Sequence, residues 1–225
     1  MPSSRQAKSK RSISGRDAEA TKAQILDAAE QEFAIAGFAA ARTETIAAQT
    51  GVTKTMIYYY FQNKEALYQE VLNRAFIQPL GEIAQLNLEQ LPPRQGLESF
   101  TRMFLQQMSK KPSLASMLFL EAIQNRGKYY PKESIQQLYG TLIAILEQGI
   151  SQGVFRPLEP KHTAVNIVGS CVFYLAAHEN VKHLWSGKRM LSKAMLEEHT
   201  QESLNLILAG VRAVPDMTKD SQTSD

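Results

Sequence analysis

Two groupings of residues in this sequence could carry chemistry. The first is His178, Glu179 and His183. Two histidines on one helix share a metal ion when they stand four residues apart, with a glutamate between them acting as base. Here they stand five apart, and at about 100° per residue the side chains end roughly 140° apart around the axis. A regular helix cannot bring both to one ion, so they read as polar residues at a helix end. The second grouping is Arg42, Thr43, Thr45, Lys54, Thr55, Tyr58, Tyr59, Tyr60 and Lys64. It offers positive charge, hydroxyls, a threonine methyl and aromatic area. Such groups suit phosphates and base edges. None is a carboxylate or an imidazole, so the set does not suit acid–base catalysis near neutral pH.

Other catalytic signatures are missing. The sequence has no Gly-x-Ser-x-Gly elbow, no glycine-rich phosphate loop with a lysine and no dinucleotide fingerprint. Its single cysteine, Cys171, sits in the apolar run from Val165 to Ala177, which permits no intrachain disulfide and no multi-cysteine metal site. It reads as a small buried hydrophobe. No catalytic residue, metal or cofactor is expected.

The elements that must position the second grouping are short and heavily punctuated. From Ala18 to Ala36, apolar residues including Ile25, Ala29, Phe33 and Ala36 recur at helical spacing. Thr21 with Gln24 has the form of a capping box, with a start one turn earlier at Asp17 as the alternative, and Gly37 stops the helix so that Phe38 can fold back onto it. Thr43 is a natural N-cap for a helix running to Thr50, with Ile46 and Ala47 inward. Gly51 breaks that helix, Val52 is an apolar plug, and Thr53 caps a second short helix from Lys54 to about Tyr60. The inward residues of this second helix are Ile57 and Phe61. Asn63 caps the next helix, which begins at Lys64 and is expected to end near Pro79. Two helices joined by a short glycine-containing turn form a helix-turn-helix, in which the second helix lies in the major groove of DNA.

The stretch from Thr21 to Leu72 resembles the DNA-binding head of the tetracycline-repressor (TetR) family. The sharpest part is Thr43-x-x-Ile46-Ala47-x-x-x-Gly51-Val52, followed by Thr53-Lys54-x-x-Ile57-Tyr58-x-Tyr60-Phe61-x-x-Lys64-Glu65-x-Leu67. The resemblance implies that Thr43 presents its hydroxyl and nearby N–H groups to a phosphate. Tyr58 and Tyr60 would lie against the DNA backbone, Lys54 and Thr55 would face bases, and Lys64 would bind a phosphate. Arg42, Thr45 and Tyr59 complete the expected contact set. For Tyr60 core packing is the competing reading, and for Lys64 a solvated helix start. The sequence departs from the family pattern at Tyr59, where histidine is frequent, at Gln62, where proline is frequent, and at Glu44, which adds a negative charge to the first of the two helices.

Beyond Pro79 come long amphipathic segments separated by Pro and Gly. They predict helices over about 96–109, 112–125, 131–153, 161–182 and 192–211, with no sheet. The expected fold class is all-α: a basic arm (1–17), a three-helix head containing the helix-turn-helix (18–76), a larger helical domain (77–213) and a polar tail (214–225). A net charge of +3 is too small to argue for nucleic acid, but Arg5, Lys8, Lys10, Arg11 and Arg16 crowd into the first sixteen residues. No run approaches the ~18 consecutive apolar residues of a membrane span, and a cytoplasmic protein is expected.

From the resemblance, the larger domain binds a small-molecule effector and forms a homodimer that grips palindromic double-stranded DNA. The interface is expected on the last two helices, through the run Val165, Ile167, Val168, Val172, Phe173, Leu175 and the stripe Leu204, Leu208, Val211. An apolar pocket is expected around Phe100, Met103, Phe104, Met117, Tyr139 and Phe173, with Glu121 and Tyr174 as polar anchors. A repressor released by an apolar ligand is the favoured function. A helical adaptor that binds proteins without DNA, and less so an enzyme, are the alternatives.

Overall fold

In a computed structural model, which describes residues 15–84, 86–130 and 132–213, the regular elements are helices and no strand forms among the described residues. Most of the expected basic arm and tail, residues 1–14 and 214–225, lie outside the described residues. The helices are α1 (Gly15–Ala40), α2 (Thr43–Thr50), α3 (Lys54–Phe61), α4 (Lys64–Ala84), α5 (Pro93–Lys110), α6 (Pro112–Gln124), α7 (Lys132–Ser151), α8 (Pro160–Ala176), the single turn α9 (His178–Val181) and α10 (Lys193–Val211).

The N-terminal elements follow the sequence closely, with instructive differences. α1 starts before Thr21, as in the earlier-start alternative, and the Thr21 hydroxyl donates back to Asp17 O at 2.7 Å, so the capping box does not form. Gln24 instead reaches Thr50 O at the end of α2. Gly37, at φ 71° and ψ 172°, breaks α1 as expected, and Phe38 folds back to within 6.4 Å of Phe33. The residue capping α2 is Arg42, in extended conformation and without a side-chain hydrogen bond; Thr43 is the first helical residue. The expected cap fails because the Thr43 side chain is buried and turned toward α3. Thr53 does cap α3, accepting from Met56 N, and Asn63 caps α4, accepting from Ala66 N at 2.8 Å. Between them Gln62, at φ 63° and ψ −52°, with Asn63 N donating to Phe61 O at 2.7 Å, makes a γ-turn of the positive-φ kind. Ile25, Phe33, Ile46, Ile57 and Leu67 close a shared core, each essentially without solvent contact.

The remaining helices pack around α5, α7 and α8. α1 lies on α6 as well as on α2 and α4, and α4 also packs against α7, so α4 belongs to both parts of the molecule. Its backbone stays helical past Pro79 to Ala84, a correction to the expected stop. A proline inside a helix costs about 3 kcal/mol, and burial of Ile83 on the far side helps offset this. α8 ends at Ala176, six residues before expected, where Ala177 leaves the helical range. The imidazole Nδ1 of His178 then lies 2.8 Å from Leu175 O and satisfies a carbonyl at the end of α8. The chain ends of α7 and α10 are pinned together by a lone antiparallel bridge between Phe155 and Arg212.

Most of the apolar run expected at a subunit interface is used inside the protomer. Ile167, Val168, Val172, Leu175, Leu204 and Val211 are buried, because α8 is surrounded by α5, α6, α7 and α10. Val165 and Phe173 on α8, each 54% exposed, and Leu206 on α10, 72% exposed, remain on the surface.

Candidate nucleic-acid interface

α3 divides cleanly into two faces. Ile57 and Phe61 point into the core, while Lys54 and Thr55 are exposed and Tyr59 is 82% exposed. Tyr58 and Tyr60 are half-buried beside that outer face, with Tyr60 edge-on to Tyr59 at 5.5 Å. The Tyr58 hydroxyl lies 3.1 Å from the Thr43 hydroxyl, tying the start of α2 to the middle of α3. Thr43 is therefore a residue that positions Tyr58, with little surface of its own. Lys54 forms an ion pair with Glu44 across the turn, and its ammonium sits 5.7 Å from the Tyr58 ring centroid. The hydrogen bond to Glu44 raises the lysine pKa, and the same bond lowers that of the glutamate. Glu44 thus supplies the partner for Lys54. Arg42 is exposed and Thr45 half-exposed along the same side.

Lys64 has a more enclosed setting than a solvated helix start. Its ammonium donates to Ala39 O at 3.1 Å and stands 5.1 Å over the Phe38 ring. Burial lowers its pKa, partly opposed by Glu32 and Glu44. The lysine consequently joins the end of α1 to the start of α4.

Between the head helices and the rest, a second polar hub is fully enclosed. Glu121 on α6 has no solvent contact; it accepts from the Tyr68 hydroxyl at 3.0 Å, from Tyr129 N at 2.7 Å and from the Asn125 amide. The rings of Phe38, Tyr68 and Tyr129 meet around it at 4.9–5.6 Å. Desolvation, with Glu121 adjacent, pushes the Tyr68 pKa up. Nearby, Glu30 accepts from Arg74, Lys111 and Ser113.

An apolar cavity of about 250 Å³ lies among α4 to α8, lined by Phe76, Phe104, Met108, Tyr130, Leu138 and Tyr139 with their neighbours. A second chamber of about 210 Å³ shares Leu118, Tyr130, Tyr139 and Val168 with it and reaches the surface beside Phe119 and Val165. Of the pocket residues expected from sequence, Phe104 and Tyr139 are brought together here. Phe100 and Met117 are packed core residues, Met103 packs at the core's edge, and Glu121 is the hub just described. Phe173 and Tyr174 lie elsewhere. Phe173 faces outward, while Tyr174 donates to Met190 O at 3.1 Å and stacks on His199 at 3.6 Å. Sequence reasoning missed Phe76 and Tyr130. Phe76 was signalled by its four-residue spacing from Leu72, and Tyr130 was hidden by its place beside Pro131 in a connection. A larger trough between α5 and α10, about 500 Å³, mixes Leu105, Leu191 and Leu196 with charged side chains, and its Arg102 is already bonded to Glu197 and Gln201.

Comparison with known proteins bears directly on these two sites. Residues 25–71 match the family model described as bacterial regulatory proteins, tetR family, and residues 93–207 match the tetracyclin repressor-like C-terminal domain. The chain is 31% identical to the HTH-type transcriptional repressor SCO4008 of Streptomyces coelicolor over 149 residues, 66% of this chain and 74% of that protein. It is 25% identical to the HTH-type transcriptional regulator RutR of Escherichia coli K12 over 200 residues, covering 86% and 91%. Among solved structures, the transcriptional regulator FadR of Bacillus subtilis in complex with stearoyl-CoA shares the fold, with a TM-score of 0.66 and 22% identity over 84% of this chain and 99% of that one.

Proposed function

We propose, from the premise that this chain belongs to the tetR family of bacterial regulatory proteins, that it is a transcriptional repressor released from a palindromic operator when an apolar small molecule occupies its larger domain. The observation that carries the reading is the outer face of α3. Lys54, Thr55 and Tyr59 stand exposed on a helix whose opposite face is locked by Ile57 and Phe61. In a DNA complex Thr55 and Lys54 read bases, Lys54 exchanging its Glu44 partner for the DNA. Tyr58, Tyr60, Arg42, Thr45 and Lys64 meet the backbone, with Thr43 holding Tyr58 in place.

Residues 18–76 act as the head and 77–213 as the ligand-binding and dimerisation domain, in the cytoplasm. No helix among the described residues is long and apolar enough to cross a membrane. Two heads enter successive major grooves when their recognition helices stand about 34–36 Å apart. The dimer is held by the exposed faces of α8 and α10, around Val165, Phe173 and Leu206. A ligand that fits a different head spacing releases DNA to the extent that it binds that state more tightly. Selection of bound sequences from a random DNA pool at two salt concentrations tests the reading. A palindromic consensus is the expected result; binding with no preferred sequence, or none that weakens with salt, would remove it.

A further inference from the structure

The cavity between α4 and α8 is uncharged and nearly free of polar groups. Among the described residues, no Lys, Arg, Asp or Glu lines either chamber, and Tyr130 and Tyr139 are the polar side chains that do. Those two residues line both chambers. No protein acceptor among the described residues lies within hydrogen-bonding distance of either hydroxyl, whereas the hydroxyls of Tyr68 and Tyr174, the buried tyrosines at the hub and beside His199, each have a partner. Both side chains are half-buried and line the cavity, so each hydroxyl is free to donate to an acceptor that enters it from outside the chain.

The electrostatics select the kind of acceptor. Burial raises the pKa of both phenols, and Tyr139 and Glu121 add to the effect at Tyr130. Both therefore remain protonated donors near neutral pH, in surroundings that already disfavour negative charge. An anion entering here would lose its hydration with no cation to meet it. At about 30 Å³ per water-sized group, the first chamber takes roughly eight such groups, and a longer molecule extends into the second.

We propose that the effector is an uncharged, mostly hydrocarbon molecule of about eight or more carbons, carrying a neutral acceptor oxygen such as that of a ketone, ester or ether, seated against the hydroxyls of Tyr130 and Tyr139. This rests on the ligand-released repressor reading. Tyr130 also gives the ligand a route to the head. Its ring stacks on Phe76 of α4 at 5.9 Å, and its neighbour Tyr129 touches Phe38 and Tyr68.

Calorimetric titration of the purified full-length protein with nonan-2-one, nonanoate and butylbenzene tests this. The ketone is expected to bind at least ten times more tightly than the carboxylate. Tyr130→Phe and Tyr139→Phe should each weaken the ketone about two- to tenfold while leaving butylbenzene unchanged, which also reports that the cavity is intact. Nonanoate binding as tightly as the ketone, an unchanged ketone-to-butylbenzene ratio in both variants, or no binding by any of the three would overturn the assignment. Specific operator binding by the unliganded wild type, measured separately, is lost only if the regulator reading itself fails.

Discussion

Replacing Glu121 by glutamine probes the enclosed hub between head and larger domain. Its two oxygens accept three donors, from Tyr68, Asn125 and the Tyr129 backbone, and the side chain has no solvent contact. An amide keeps one acceptor and turns the other into a donor. The Tyr129 N–H cannot reverse its role, so the carbonyl must stay with it, and Tyr68 and Asn125 then face an NH₂ group. Both can rotate, but each loses the geometry it now has. Leaving one buried donor poorly satisfied costs about 1–3 kcal/mol. For a chain of this length that lowers the melting temperature by roughly 2–12 °C. Scanning calorimetry of Glu121→Gln, Tyr68→Phe and the double variant measures both the loss and its sharing. The double variant should lose at least about 0.5 kcal/mol less than the sum of the singles. A melting temperature for Glu121→Gln within 1 °C of wild type, to roughly the precision of such scans, or full additivity with Tyr68→Phe, would refute the account of the hub.

Other perturbations test the remaining sites. Lys64→Ala should weaken binding to all DNA sequences and reduce the salt slope by about one; if stability falls and the slope does not, Lys64 serves only the end of α1. Thr55→Val should shift sequence preference in a repeated selection while keeping the salt slope, and an unchanged consensus would take Thr55 off the base edges. Gly149→Ala should cost about 1–3 kcal/mol by overpacking, because a Cβ there would meet the Phe155 ring at 1.9 Å; chemical denaturation measures it, and a neutral result would mean that Phe155 moves freely. Burial lowers the His199 pKa, so the unfolded chain takes up its proton first as pH falls. The associated stability is intact above about pH 6.5 and is lost as pH drops through the imidazole's unfolded value toward its folded one. The fall in melting temperature between pH 7.5 and 5.5 should be smaller in His199→Gln, and equal slopes would contradict this.

What sequence could reveal depended on whether local pattern or tertiary packing decided the outcome. Ile57 and Phe61 on α3, the Thr53 and Asn63 caps and the Gly37 break are local choices, and each appears where spacing and residue type put it. Thr43 looked like a cap by type, yet its hydroxyl is taken by Tyr58, fifteen residues on, which no local rule contains. Pro79 should stop a helix, yet α4 continues because both its ends are anchored in the structure. The apolar run on α8 showed that the helix was hydrophobic almost all round, but not which neighbour covered each side. Four of the expected interface residues on it proved to be interior. The cavity was the least legible feature. Filled core and vacant space have the same composition, and Phe100 and Phe104, four residues apart on α5, fell on opposite sides of that distinction.

The γ-turn at Gln62 limits how this head could be re-engineered. A side chain held at positive φ carries a cost of roughly 1–2 kcal/mol, and proline, fixed near −65°, cannot take the conformation at all. A chain with proline at this point must therefore join α3 to α4 through a different turn. Grafting α3 alone from such a chain would set its side chains on a turn they did not evolve with. The transferable cassette runs from Thr53 through Lys64, with the turn and both caps included.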